Sequence, residues 1–225
     1  MKKTLLAEAL GTFFLVFAGT GAIIASQTFG QPTHAGVAAT FGLVVMVLIF
    51  GFGDLSGAHF NPAVTLGFAR AGRFDWNRVL PYLLAQTVGA LAASGLLRLL
   101  FPENQRLGGT FPAGSAAQSF VFEILLTAFL MLIILNVTTG AKEKGITAAI
   151  AIGATVGLEA LFAGPVCGAS MNPVRSLAPA LVSGQLEFLW IYLTAPPLGA
   201  FAAVSLHCFF YPKNHSREGS EPSRG

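Results

Sequence analysis

Apolar positions fall into six long blocks separated by short polar breaks. They run from about Leu5 to Ser26, Ala35 to Gly53, Val79 to Leu100, Gln118 to Thr138, Ile146 to Phe162 and Phe188 to Tyr211. Each is near the ~20 residues that an α-helix needs to cross a hydrocarbon core. Backbone groups in lipid must be satisfied within their own segment, so each block reads as a helix. Two further runs are too short to cross. One extends from Asn61 to Ala69 and the other from Asn172 to about Val182. Nine residues at ~1.5 Å each cover roughly half of a ~30 Å core. Residues 102–117 form a Gly/Pro-rich loop, and the polar stretch after Pro212 is expected to be disordered.

The two short runs share a pattern. Gly57-Ala58-His59-Phe60-Asn61-Pro62-Ala63-Val64-Thr65-Leu66 recurs as Gly168-Ala169-Ser170-Met171-Asn172-Pro173-Val174-Arg175-Ser176-Leu177, 111 residues later. Asn is a preferred N-cap, and Pro at the first helical position loses no hydrogen bond. Each copy therefore predicts a half-helix whose capped start lies deep in an apolar region. The halves also repeat at Glu8-x-x-x-Thr12 and Glu123-x-x-x-Thr127. Three spans per half force the second half to enter from the opposite side, which makes an inverted repeat. The expected fold is an all-α membrane protein of six transmembrane helices and two re-entrant half-helices. A single channel domain should occupy residues 1–212, with repeats over about 4–101 and 118–211, and residues 213–225 as a tail.

Composition agrees with a membrane setting. Of the 225 residues 54% are hydrophobic and 10% charged, against about 25% charged in a soluble domain. The 26 glycines suit close helix packing. The Lys2-Lys3 start precedes a run too long for a signal peptide's apolar core, so the first span is expected to be retained. With the N-terminus inside, Lys2, Lys3, Arg70, Arg73, Arg78, Lys142, Lys144, Lys213, Arg217 and Arg224 face the cytoplasm. Only Arg98 and Arg106 fall outside, while Arg175 lies within the membrane. This positive-inside bias places both termini in the cytoplasm. Cys167 and Cys208 have no disulfide spacing and read as small packing residues. The four histidines are too scattered for a metal site. Neither a cofactor nor a nucleic-acid partner is expected.

Over residues 4 to 211 the chain resembles the aquaporin, or major intrinsic protein, family. Glu8, Gly57-Ala58-His59 with Asn61-Pro62-Ala63, Glu123 and Asn172-Pro173-Val174-Arg175-Ser176 carry the resemblance. It implies a narrow pore in each subunit of a homotetramer, in a cell (inner) membrane, with the two Asn-Pro motifs meeting at the pore centre. The Asn61 and Asn172 amides would offer donors to a passing oxygen, and the positive ends of both half-helices would repel cations. Val174 departs from the family's usual Ala and could displace the Asn pair.

The same resemblance assigns the selectivity filter to Phe41, Ala160, Ala169 and Arg175. A charged residue inside a membrane is functional by default; the plainer reading of Arg175 is a salt bridge to a buried Glu. Water-selective members resemble Phe, His, Cys or Thr, and Arg at these places. Ala160 in place of His implies a wider, less polar constriction. Ser176, Ala180, Tyr192 and Leu193 look like the nodulin-like intrinsic proteins and their bacterial relatives. That branch implies passage of glycerol and uncharged metalloid acids besides water, with exclusion of ions and protons. The alternative is a water-selective aquaporin.

Glu8 and Glu123 read either as a proton relay or, by resemblance, as acceptors for backbone N–H groups of the two re-entrant loops. Glu159 has no repeat partner and reads as a loop anchor. His59 either presents a ring nitrogen to the pore or braces its loop. His34, His207 and His215 lie near span ends, with no chemical role expected. An ion-coupled transporter would need Glu8 and Glu123 as alternating titratable groups. An enzyme is not expected, because no nucleophile has an adjacent base.

Overall fold

The computed structural model describes residues 1–138 and 144–212, with the side chains of 144–146 left aside. Lys142, Lys213, His215, Arg217, Arg224, the Lys144 side chain and the tail at 213–225 therefore lie outside the described residues. Six long helices carry the apolar blocks: α1 (Lys2–Phe29), α2 (His34–Ser56), α4 (Trp76–Leu100), α5 (Ala116–Val137), α6 (Lys144–Cys167) and α8 (Leu189–Phe210). Each has the length and composition of a membrane span. Two short helices, α3 (Pro62–Arg70) and α7 (Pro173–Ser183), complete the fold.

The blocks predict these helices to within a few residues, except at the end of α6. Its apolar run thins at Phe162, yet the helix continues through Pro165 to Cys167. A proline leaves the carbonyl four residues earlier without its helical donor. Here that carbonyl belongs to Leu161, and His34 Nε2 lies 2.7 Å from it. The imidazole at the start of α2 thus replaces the missing N–H. The role is structural and not chemical.

The packing has the symmetry of the repeat. Helix α1 packs on α4 as α5 packs on α8, α1 on α2 as α5 on α6, and α2 meets α6 across the pseudo-axis. The short helices are exchanged between halves. Helix α3 lies against α8 of the second half, and α7 against α4 of the first. Close approach explains two glycines. A Cβ on Gly89 would collide with the Ala9 carbonyl, and one on Gly199 with the Ile124 carbonyl. These are the α1–α4 and α5–α8 crossings, at equivalent heights. Large apolar side chains such as Leu43, Val47, Leu84, Val88, Leu125 and Leu158 remain exposed on the outer surface. Such a girdle suits lipid rather than water.

Candidate functional site

The two re-entrant loops enter the bundle with an unusual backbone. Gly57, Ala58 and Phe60 have φ of 84°, 51° and 49°; Gly168, Ala169 and Met171 have 87°, 41° and 52°. Left-handed conformation in a non-glycine residue costs about 1–3 kcal/mol and persists only where the surroundings enforce it. The enforcing groups are the two buried carboxylates. Glu8 accepts the N–H of His59 at 3.0 Å and of Phe60 at 2.8 Å. Glu123 accepts the N–H of Ser170 at 2.7 Å and of Met171 at 2.8 Å. Each of the four oxygens accepts one backbone N–H.

Each loop then ends in a capped half-helix. Asn61 Oδ1 accepts the Ala63 N–H at 2.9 Å. Asn172 Oδ1 accepts those of Val174 and Arg175 at 3.2 and 3.4 Å. The second cap is shared and longer, at the motif that carries Val174. The side-chain amides cross between repeats. Asn61 Nδ2 donates to the Met171 carbonyl at 2.7 Å, and Asn172 Nδ2 donates to the Phe60 carbonyl at 2.9 Å. Asn61 and Asn172 thereby tie the two loops together while lining one cavity. Pro62 and Pro173 hold the first helical positions, with Ala63 and Val174 buried behind them.

Further paired contacts were not apparent from the sequence. Tyr82 donates to the Ser56 carbonyl and Tyr192 to the Cys167 carbonyl, both at 2.8 Å. Each takes the last helical carbonyl before a left-handed glycine. Tyr recurring 110 residues apart was the available signal. His59 Nδ1 meets Thr65 Oγ1 at 3.1 Å, and at the matching place Ser170 Oγ meets Ser176 Oγ at 2.6 Å. The His59 ring is enclosed by Phe68, Phe74 and Tyr82, so it braces its loop. The symmetry breaks at Gln86, whose Nε2 donates to Glu8 at 2.8 Å and to Thr65 at 3.0 Å. Pro196 stands at the corresponding point of the second half.

Glu159 differs from the other two carboxylates. It is fully buried, and neither oxygen has a hydrogen-bond partner among the described residues. It anchors no loop among the described residues, contrary to the sequence-based expectation. Its place on α6 turns it about 100° from Ala160, away from the cavities. An unsatisfied buried polar group costs about 1–3 kcal/mol. Glu159→Met, of similar volume, is therefore expected to raise the thermal unfolding midpoint in detergent and leave water flux unchanged. A lowered midpoint would mean that the carboxyl has a partner.

His207, too, takes a structural role. Arg73 NH2 donates to its Nε2 at 2.9 Å, and its Nδ1 lies 3.0 Å from Asn136 Oδ1. Arg73 NH1 donates to the Leu135 carbonyl at 2.9 Å. The cluster fastens the loop after α3 to the ends of α5 and α8.

Two cavities meet at the proposed filter positions. A vestibule of about 470 Å³ opens at the face carrying residues 101–115 and is lined by Phe41, Ala160, Ala169 and Arg175 among others. Below it lies a cavity of about 50 Å³, reaching Asn61 and Asn172. Phe41, Ala169 and Arg175 line both; Ala160 lines only the vestibule. Arg175 is buried and forms no ion pair with a carboxylate among the described residues. Its NH1 donates to the Gly108 carbonyl at 2.9 Å, and its guanidinium lies 5.0 Å from the Phe41 ring centre. Its Nε has no partner among the described residues. The loop that supplies Gly108 is further held by Thr110, whose hydroxyl donates to Ser176 at 2.7 Å.

Comparison with known proteins gives a consistent picture. The family model described as Major intrinsic protein matches residues 1–207. The chain is 51% identical over 204 residues to "Aquaporin NIP1-1" of Zea mays, covering 90% of this chain and 72% of that protein. It is 48% identical over 204 residues to "Nodulin-26" of Glycine max, covering 90% of this chain and 75% of the other. Among solved structures, the aquaglyceroporin from Plasmodium falciparum superposes with a TM-score of 0.83 at 26% identity. That match covers 92% of this chain and 95% of that one.

Proposed function

Because the chain belongs to the major intrinsic protein family, we propose that its pore passes glycerol and small metalloid hydroxy-acids together with water, through a filter formed by Phe41, Ala160, Ala169 and Arg175. The protein is an integral membrane channel for water and small solutes, and the family is not one of enzymes.

One observation supports the wide filter most directly. Where vestibule and inner cavity meet, Ala169 is small, Ala160 stands just above it, and Phe41 is the one aromatic of the four. Phe41 offers a carbon skeleton an apolar wall. Arg175, with Nε and NH2 uncommitted to acceptors among the described residues, offers donors to hydroxyls. Asn61 and Asn172 then receive the solute oxygen between two positive helix ends. A cation meets those ends and the Arg175 charge after losing its water, so ions and protons are excluded.

In this reading Glu8, Glu123 and His59 hold the re-entrant loops and carry no protons across. The twofold use of each carboxylate by backbone N–H groups favours that role over a transporter's. Residues 1–212 act as one channel unit. The termini face the cytoplasm and the vestibule faces outward across a cell (inner) membrane. Subunits assemble as a homotetramer with one pore each.

Proteoliposome swelling tests the solute range. Water, glycerol and boric acid are each expected to enter protein-bearing vesicles at least several-fold faster than empty ones. Vesicles that pass water but exclude glycerol and boric acid would leave a water-selective channel, the reading that the ~50 Å³ inner cavity favours.

A further inference from the structure

The vestibule holds a second cation that conduction through the filter does not use. Arg106 lines the same cavity as Arg175, and among the described residues no acidic one lines it. Glu103, in the same loop, borders a different depression beside Thr28 and Leu100. One short segment positions both arginines. Asn104 Oδ1 accepts the N–H of Arg106 at 3.2 Å and of Leu107 at 2.7 Å. The Arg106 carbonyl accepts the Gly109 N–H at 2.8 Å, and Leu107 is fully buried as the anchor. Next to it, Gly108 offers its carbonyl to Arg175. The Arg106 guanidinium lies over the Phe111 ring at 4.7 Å, so its side chain is directed as well as its backbone. Neither guanidinium is neutralised by a carboxylate among the described residues. Arg175 is 2% exposed, and its Nε is unpartnered.

Two guanidiniums lining one cleft, Arg175 buried and Arg106 exposed, focus positive potential there. Each presents donors in a fork that matches tetrahedral or planar oxyanions. Such an anion is drawn in but cannot continue, because the next cavity is only about 50 Å³ and a charge would lose its hydration there. We propose that the vestibule is a binding site for small oxyanions, held between Arg106 and Arg175, and that an anion seated there blocks the channel. The inference rests on the channel reading but on no particular solute.

Inorganic phosphate serves as the probe. Water efflux from proteoliposomes is read with phosphate on both faces, against potassium chloride of equal osmolality and ionic strength. Phosphate is expected to slow efflux several-fold at millimolar concentration, and to broaden its own ³¹P resonance in the presence of purified protein. Arg106→Gln is expected to raise the half-blocking concentration by about tenfold, the scale of a lost charge-assisted contact, with phosphate-free efflux within about twofold of wild type. Arg106→Lys, which keeps the charge, should restore most of the block. A phosphate effect no larger than that of chloride, or an undiminished block in Arg106→Gln, overturns the proposal. So does ³¹P broadening that disappears on moving from phosphatidylcholine to phosphatidylglycerol vesicles, since the occupant is then a lipid headgroup. Failure of glycerol transport alone leaves water efflux intact and is thereby distinguished.

Discussion

Replacing Arg175 by Val is expected to raise cation and proton leakage by roughly fivefold to several hundredfold, and to broaden solute selectivity. The range follows from Coulomb's law. A unit charge about 4 Å from a permeating cation contributes about 1 kcal/mol at the dielectric of water and about 4 kcal/mol at an effective value of 20. Each ~1.4 kcal/mol is a factor of ten. Arg175 is buried, with a full charge between vestibule and inner cavity, which places the effect toward the upper end. Val also abandons the Gly108 carbonyl and uncovers the Phe41 ring. The constriction should therefore loosen as well as lose charge. Current across planar bilayers and proton entry into dye-loaded vesicles measure the leak. Unchanged ion conductance with unchanged solute selectivity would remove Arg175 from the filter.

The second large effect is expected from Ala160→His. Glycerol flux should fall by roughly fivefold to a hundredfold or more, while water flux falls little. The range takes the ~1–3 kcal/mol cost of overpacking a filled space as the scale on which the added ring opposes glycerol at each transit. An imidazole at position 160 would also add a polar group on the vestibule side of Arg175, which suits single-file water. Ala160 stands on α6 below the Pro165 segment, whose free carbonyl His34 occupies. The substitution therefore leaves that backbone support in place. Parallel swelling assays with water and glycerol decide the matter. If glycerol flux is unaffected, position 160 does not bound the passage. The longer cap bonds at Asn172, beside Val174, mark the next place to probe.

Much of this architecture was legible in the chain itself. Six apolar blocks predict six spans because lipid admits few ways to satisfy a backbone, and the helix is the one such lengths allow. The paired Asn-Pro motifs predict two half-helices because capping chemistry is local: Asn61 bonds two residues ahead, as Asn172 does two and three ahead. The motif around Arg175 points to the family, and Ser176, Ala180, Tyr192 and Leu193 point to its branch. These are short-range properties, or direct consequences of immersion in hydrocarbon.

What the tertiary structure decided depends on chain segments far apart in sequence. Glu8 reaches a loop 51 residues on, and the fate of Glu159, buried yet unpartnered, follows from what surrounds α6 rather than from its own neighbours. Pro165 should have stopped a helix, but His34, 127 residues from Leu161, supplies the missing donor. The Gly/Pro-rich segment after α4 reads as a plain connection. Only the fold shows it turning inward, so that Gly108 holds Arg175 and Arg106 shares its vestibule. Local preference specifies helices, caps and turns. Partners for buried polar groups are chosen by the one packing that brings distant segments into contact, and there the sequence carries the groups without their pairing.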